Sequence, residues 1–281
     1  MRQIAVVSGK GGTGKTTLVA SLAALASGSE VIADCDVDAP DLHLVLRPIV
    51  RERREFLGMK TAEIDESRCT KCGSCGEHCR FGAVHEFWID PALCEGCGVC
   101  RFVCPSEAVA MRDRLSGYAY ISDTRFGPMV HAELFPGEEA SGKLVAMVRE
   151  MARDLAASQE KELVLIDGSP GIGCPVIATL TGVDLALIVT EPTISGEHDL
   201  ERVLRVTEHF GIKTDVCINK HDINPEATQR IEKLCRERDV RVAGKLPFDP
   251  TVVDAMVLGK PVVSLGGPAA EGIEELWGDL R

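Results

Sequence analysis

The feature that most constrains this chain is a glycine-rich loop near its start, Gly9-Lys10-Gly11-Gly12-Thr13-Gly14-Lys15-Thr16-Thr17. It fits the pattern G-x-x-x-x-G-K-[ST] and lies between an apolar strand-like run at residues 4–8 and a helical pattern at about 14–26. Glycines at these positions let consecutive backbone N–H groups turn inward around phosphate oxygens at a helix N-terminus. Lys15 is placed to reach the β- and γ-phosphates of a nucleotide, and the Thr16 hydroxyl to ligate Mg²⁺. A plain turn between strand and helix needs neither a lysine nor a hydroxyl at its exit.

The rest of the chain suits such a loop. Strand-like runs at 30–34, 163–167, 184–190, 214–219 and 240–246 alternate with helical stretches near 175–181, 197–210 and 225–238. This alternation predicts an α/β fold, a mostly parallel sheet with helices on both faces. The pattern breaks between about 56 and 130, where cysteine and glycine accumulate and only short strands are expected.

An internal repeat lies inside that break. Cys69, Cys72, Cys75, Cys79, Ala83 and Val84 recur 25 residues later as Cys94, Cys97, Cys100, Cys104, Ala108 and Val109. The double C-x2-C-x2-C-x3-C frame, closed by Pro105, is similar to two-cluster bacterial ferredoxins. That resemblance implies two [4Fe–4S] clusters with exchanged fourth ligands: Cys69, Cys72, Cys75 and Cys104 for one, Cys94, Cys97, Cys100 and Cys79 for the other. Paired zinc sites are the alternative, but zinc needs no crossover spacing. Arg80 departs from the pattern, standing where a proline often follows the fourth cysteine. It either raises that cluster's potential through its charge or simply faces solvent.

The form K-G-G-T-G-K-T-T resembles the deviant phosphate loop of the MinD/ParA/Mrp superfamily, which includes the nitrogenase iron protein. The resemblance implies an ATP-driven sandwich dimer in which Lys10 crosses to the partner's nucleotide. Asp36 and Asp38, after the second strand, occupy the family's first switch; Asp36 is the first choice for orienting the attacking water and Asp38 the second. Asp167 ends an apolar strand, where an unpaired carboxylate is costly, and is expected to hold a Mg²⁺-bound water. Residues 168–173 resemble the second switch.

Asn219-Lys220-His221-Asp222 reads literally as the guanine-recognising N-K-x-D, yet the family places an asparagine against adenine at this point. The type of phosphate loop favours ATP over GTP. Pro247, Phe248 and Asp249 resemble a loop that flanks the base. Cys174 follows Asp167 at the offset at which the nitrogenase iron protein keeps a cysteine for a bridging cluster, but no second cysteine accompanies it between 104 and 174. A small residue at a helix start is the plainer reading.

Net charge is −12 over 281 residues, which counts against general nucleic-acid binding. The short basic run at 51–54 reads as a solvated face. No apolar run approaches the ~18 residues needed to span a bilayer, and the first residues carry no leader pattern. A cytoplasmic protein with no membrane anchor is expected. Twelve cysteines there argue for metal ligation rather than disulfides. Cys35, Cys217 and Cys235 read as small buried hydrophobes. Ile273, Leu276, Trp277 and Leu280 give the C-terminal helix an apolar face opposite an acidic one, so it is expected to pack on the core.

The expected organisation is a P-loop ATPase domain at 1–55 and 125–281 with a ferredoxin-like insert at 56–124. The expected function is ATP-gated electron transfer by a homodimer, or a heterodimer with a related ATPase, to an unidentified redox partner. The alternative is a carrier of Mrp type that hands iron–sulfur clusters to an apo-acceptor.

Overall fold

The computed structural model describes residues 1–138 and 141–281. The chain opens with β1 (Arg2–Ser8), α1 (Lys15–Ala26), β2 (Glu30–Cys35), α2 (Leu42–Leu46) and β3 (Ile49–Ile64). Then come α3 (Ser74–Glu77), β4 (Val84–His85), β5 (Trp88–Ile89), α4 (Val99–Phe102), β6 (Val109–Thr124) and β7 (Gly127–Leu134). The next elements are α5 (Ser141–Ser158), β8 (Leu163–Pro170), α6 (Cys174–Leu180), β9 (Leu185–Thr190) and α7 (Ile194–His209). The last are β10 (Thr214–Asn219), α8 (Pro225–Glu237), β11 (Arg241–Leu246), α9 (Thr251–Val257) and α10 (Pro268–Leu280).

The described strands form a nine-stranded sheet in the order β11-β10-β9-β1-β8-β2-β7-β6-β3. β1 pairs in parallel with β8 and β9, and β2 in parallel with β8 and β7. The central strands are buried on both faces, which is why β2 (EVIADC) and β9 (LALIVT) read as continuous apolar runs rather than alternating ones. Helices are set by local signals. The Thr193 hydroxyl accepts the Gly196 N–H to cap α7, and Asn224 accepts that of Ala227 ahead of Pro225 to cap α8.

Two compact units divide the chain: Met1–Arg54, Ala119–Glu133 and Ser141–Arg281 in one, Glu55–Tyr118 and Leu134–Ala140 in the other. In the first, helices pack on the sheet around a core that includes Leu18, Leu22, Ile32 and Leu165. Ile273, Leu276, Trp277 and Leu280 of α10 are buried in the same core, as their spacing predicts. Cys35, Cys217 and Cys235 are buried thiols, also as expected.

In the second unit, α3 and α4 are single turns 25 residues apart, each entered through a left-handed glycine, Gly73 (φ 79°) and Gly98 (φ 76°). Ala83 and Ala108, equivalent in the repeat, are each 2% exposed. The sequence repeat is therefore also a repeat of backbone and burial. Gly96 (φ 62°) meets the carbonyl oxygen of Lys60 so closely that a Cβ there would stand 2.2 Å from it.

Two expectations need correction. β3 and β6 each run for 16 residues, where only short strands were expected. Charges at 51–55 are exposed on both faces of β3 and erase the period-two signal that identifies a strand. The 18-residue helix α5 was absent from the sequence reading, although Leu144, Val145, Val148, Met151, Ala152 and Ala156 mark one buried helical face.

Candidate nucleotide site and cysteine frame

The first site is assembled at the C-terminal ends of three adjacent parallel strands. Register places Val6 of β1 beside Asp167 of β8, and Asp167 beside Asp34 of β2. The chain leaves β1 through the glycine loop and enters α1 at Lys15. Gly14 takes φ 92°, and a Cβ there would stand 2.4 Å from Asn219 Nδ2. Asn219 in turn donates to the Thr13 carbonyl at 2.8 Å, tying the end of β10 to the loop.

Lys15 is 6% exposed. Its Nζ lies 2.7 Å from Asp167 Oδ1 and 3.6 Å from Asp36 Oδ2. Burial alone would lower its pKa, but the facing carboxylates of Asp167, Asp36 and Asp34 reverse the sign and raise it. The carboxylates pay the opposite way. Asp34, desolvated and next to Asp167, is held well above the usual carboxylate range. Burial pushes Asp36 up to about 6, against the pull of Lys15. Exposed Asp38 is raised modestly by desolvation, against a hydrogen bond from Ser141.

Three carboxylates thus face one ammonium. Asp167 Oδ2, Asp34 Oδ2 and Thr13 Oγ1 are buried without a hydrogen-bond partner among the described residues. Surplus negative charge and unpaired oxygens beside a phosphate-binding helix end fit a divalent cation and its water ligands. Asp34 was not singled out in the sequence, yet it carries the same signal as Asp167, a carboxylate ending a fully buried strand.

Residues 11–17, Asp36, Asp38, Asn219 and Pro247–Asp249 line one cleft of about 610 Å³. Asp249 is mostly buried and spends its carboxylate on the Thr251 and Ala269 N–H groups. Gly9 lies at the loop entrance, packed beside Asp199. Lys10 points elsewhere: its Nζ is 2.6 Å from Glu191 Oε1 and 2.9 Å from Ser195 Oγ. Glu191 was missed because it stands alone after a strand, with no motif around it. Beyond Asp167, Ser169 Oγ at the end of β8 donates to the Cys35 carbonyl, and Gly171 N–H just after the strand donates to the Ser8 carbonyl.

The second constellation is the cysteine frame. All eight thiols are free, with Cys72 and Cys97 exposed. Cys79, Cys94, Cys97 and Cys100 line one small cavity together with Phe81 and Val99. These four are drawn from both repeats, in the crossed combination. Cys104 Sγ accepts the Ala108 N–H at 3.3 Å, and Ser106 Oγ lies 3.6 Å from it. Arg80 is exposed, its guanidinium 5.6 Å from the centre of the Phe81 ring. Among the described residues no three His, Cys, Asp or Glu side chains converge on a point for a single metal ion. The donor chemistry nevertheless fits cubanes, whose cysteine sulfurs sit at the outer corners of a cluster rather than around one ion. Cys174 is exposed at the start of α6, packed beside Gly142.

The family model described as the CobQ/CobB/MinD/ParA nucleotide binding domain matches residues 4–262. An uncharacterized protein of Methanocaldococcus jannaschii is 39% identical, over 99% of this chain and 96% of its own. The septum site-determining protein MinD of Bacillus subtilis is 23% identical, over 92% and 81%. Among solved structures, the cell division ATPase MinD of Pyrococcus furiosus shares the fold with a TM-score of 0.60 at 21% identity, covering 99% of this chain and 98% of that one. MinD from Pyrococcus horikoshii, solved with Mg-ADP, gives 0.61 at 20%, covering 100% and 96%.

Proposed function

Because the chain belongs to the CobQ/CobB/MinD/ParA nucleotide-binding family, we propose that it is a Mg²⁺-dependent ATPase whose nucleotide cycle gates electron transfer through two [4Fe–4S] clusters. The observation that carries the ATPase half is Lys15, buried between Asp167 and Asp36 at the mouth of a helix N-terminus. The loop N–H groups and the end of α1 bind the phosphates of ATP, and Lys15 exchanges Asp167 for the β- and γ-phosphates. Thr16 through its hydroxyl, and Asp167 through a bound water, are the residues that would hold Mg²⁺. The ion would supply charge neutralisation on the phosphates. Asp36 orients the attacking water and accepts a hydrogen bond from it, a role suited to a carboxylate poised near neutrality. Lys10, released from Glu191, would reach the nucleotide of a second subunit, identical or related.

The redox half rests on the double cysteine frame and on the cavity shared by Cys79, Cys94, Cys97 and Cys100. One cluster would take those four thiolates and the other Cys69, Cys72, Cys75 and Cys104. The insert, read as 56–124, would pass single electrons to a redox partner. ATP can gate this only through its preference for one conformation of the dimer.

The test is the Lys15→Ala variant, prepared without oxygen. It is expected to keep its clusters and lose nucleotide-dependent electron delivery; delivery that persists in full ends the proposal. One observation favours a second reading, an Mrp-type cluster carrier: Cys72 and Cys97 are exposed, where an acceptor's thiol can reach them. Stoichiometric transfer of iron and sulfide to an apo-acceptor would decide for the carrier.

A further inference from the structure

Asp222 is the fourth residue of the sequence Asn219-Lys220-His221-Asp222, whose literal reading assigns it to guanine. A carboxylate only accepts hydrogen bonds, so it would suit the N–H groups on guanine's edge and repel the acceptor nitrogens of adenine. Here that carboxylate is committed elsewhere. Asp222 Oδ1 accepts the backbone N–H of Phe248 at 2.7 Å, and Asp222 does not line the cleft.

The backbone explains how one motif points two ways. Lys220 adopts φ 55°, a left-handed conformation uncommon for a residue with a side chain. Before the turn, Asn219 faces the phosphate loop and donates to the Thr13 carbonyl. After it, Asp222 faces the segment that follows β11. A second bond, from His221 N–H to the Leu246 carbonyl at 3.0 Å, fastens the same two segments. The pair of bonds fixes the backbone on either side of Pro247.

What they hold in place is an aromatic ring at the rim of the cleft. Phe248 is 53% exposed and lines the cavity together with Val252, Val253 and Met256. A large apolar face left half open beside a nucleotide cleft is suited to stacking on a base, since every base has a π-face. Stacking alone is tolerant of base identity. With the Asp222 carboxylate turned away, the contact by which this motif would reward guanine is gone and the base is left to the stack.

We infer that Asp222 is a positioning residue that holds Phe248 as a stacking platform for the base, and that its diversion from the cleft leaves the site without the carboxylate by which this motif would favour guanine. The inference rests on the reading of the cleft as a nucleotide site and adds how its base platform is held.

The test is titration of the intact chain with ATP and with GTP in Mg²⁺, for the wild type and three variants. Phe248→Ala is expected to weaken ATP binding about tenfold or more, the usual scale of a lost aromatic stack. Asp222→Ala is expected to weaken it about fivefold, the scale of one lost hydrogen bond. Asp222→Asn keeps an oxygen that accepts the Phe248 N–H, and is expected to bind ATP like the wild type, with GTP bound no more tightly than ATP in any of the four proteins. Asp222→Ala binding ATP with wild-type affinity would overturn the inference. So would a wild type that prefers GTP and loses it in Asp222→Asn, because the carboxylate would then be reading guanine. A wild type that binds neither nucleotide overturns the ATPase reading itself and the inference with it.

Discussion

The Lys10 ammonium sits 2.6 Å from Glu191 Oε1 within its own chain, and Glu191 also meets Lys220 Nζ at 3.4 Å. On the proposed reading, in which Lys10 reaches a neighbouring subunit's nucleotide, this pair holds the lysine at home, and leaving Glu191 costs about 1 kcal/mol for a partly exposed pair. Glu191→Gln removes that cost. ATP-dependent self-association, measured by sedimentation, is expected to tighten roughly thirtyfold, because each of the two subunits gives up one such pair. Weaker association would mean that Glu191 supports the dimer rather than restraining it.

Gly14 combines φ 92° with a Cβ position 2.4 Å from Asn219 Nδ2. Gly14→Ala imposes left-handed strain of about 1–2 kcal/mol and pushes Asn219 from the Thr13 carbonyl. ATP affinity is expected to fall at least tenfold, with a modest loss of melting temperature. Wild-type affinity in a calorimetric titration would contradict the geometry described for the loop.

Glu30 lies far from this chemistry in chemical role but carries a clear pH signature. It is fully buried, and desolvation pushes its carboxyl up to about 7 from 4.5, against hydrogen bonds and the charges of Lys161 and Arg281. A folded-state pKa above the unfolded one means that its stabilising contribution is complete below pH 4.5 and lost as pH rises through about 7. Glu30→Gln should therefore be more stable than the wild type at pH 8, by roughly 3 kcal/mol, and the two should converge near pH 4.5. Denaturant melts across that range check it; a gap that widens toward acid would have the wrong sign.

Lys15→Ala strips the counter-charge from Asp167, Asp36 and Asp34. Breaking a buried pair in this way typically costs 3–5 kcal/mol, about the scale expected near neutral pH. Asp34 and Asp36, already raised, titrate higher still without the ammonium, so the deficit should shrink as pH falls below 6 and Asp36 takes up a proton. Thermal melts at pH 8 and pH 5 give the comparison; a deficit that grows at pH 5 would count against it.

Much of the nucleotide site was legible because its residues sit in one contiguous motif whose spacing follows from phosphate geometry. Asp167 was legible as a charge that an apolar strand would not otherwise tolerate. Asp34 obeys the same rule and was passed over because Asp36 and Asp38 follow it so closely. Glu191 and the bond between Asp222 and Phe248 were invisible, since both join residues through tertiary contact and no local pattern encodes them. In the fold, the parallel sheet was clear from its apolar strands. The length of β3 was hidden by its charges, and the basic face at 51–54 proved to belong to a strand. α5 shows an ordinary amphipathic signal, overshadowed by the cysteine-rich stretch before it.

The central claim is that a nucleotide clamp and two iron–sulfur clusters operate in one protein, and anaerobic EPR of the reduced wild type with and without MgATP tests it most directly. The account predicts about eight iron and eight acid-labile sulfide per chain and a spectrum or midpoint potential that moves on MgATP addition. Material prepared without oxygen that carries no sulfide, or fully loaded clusters whose spectrum and potential ignore MgATP, would contradict it.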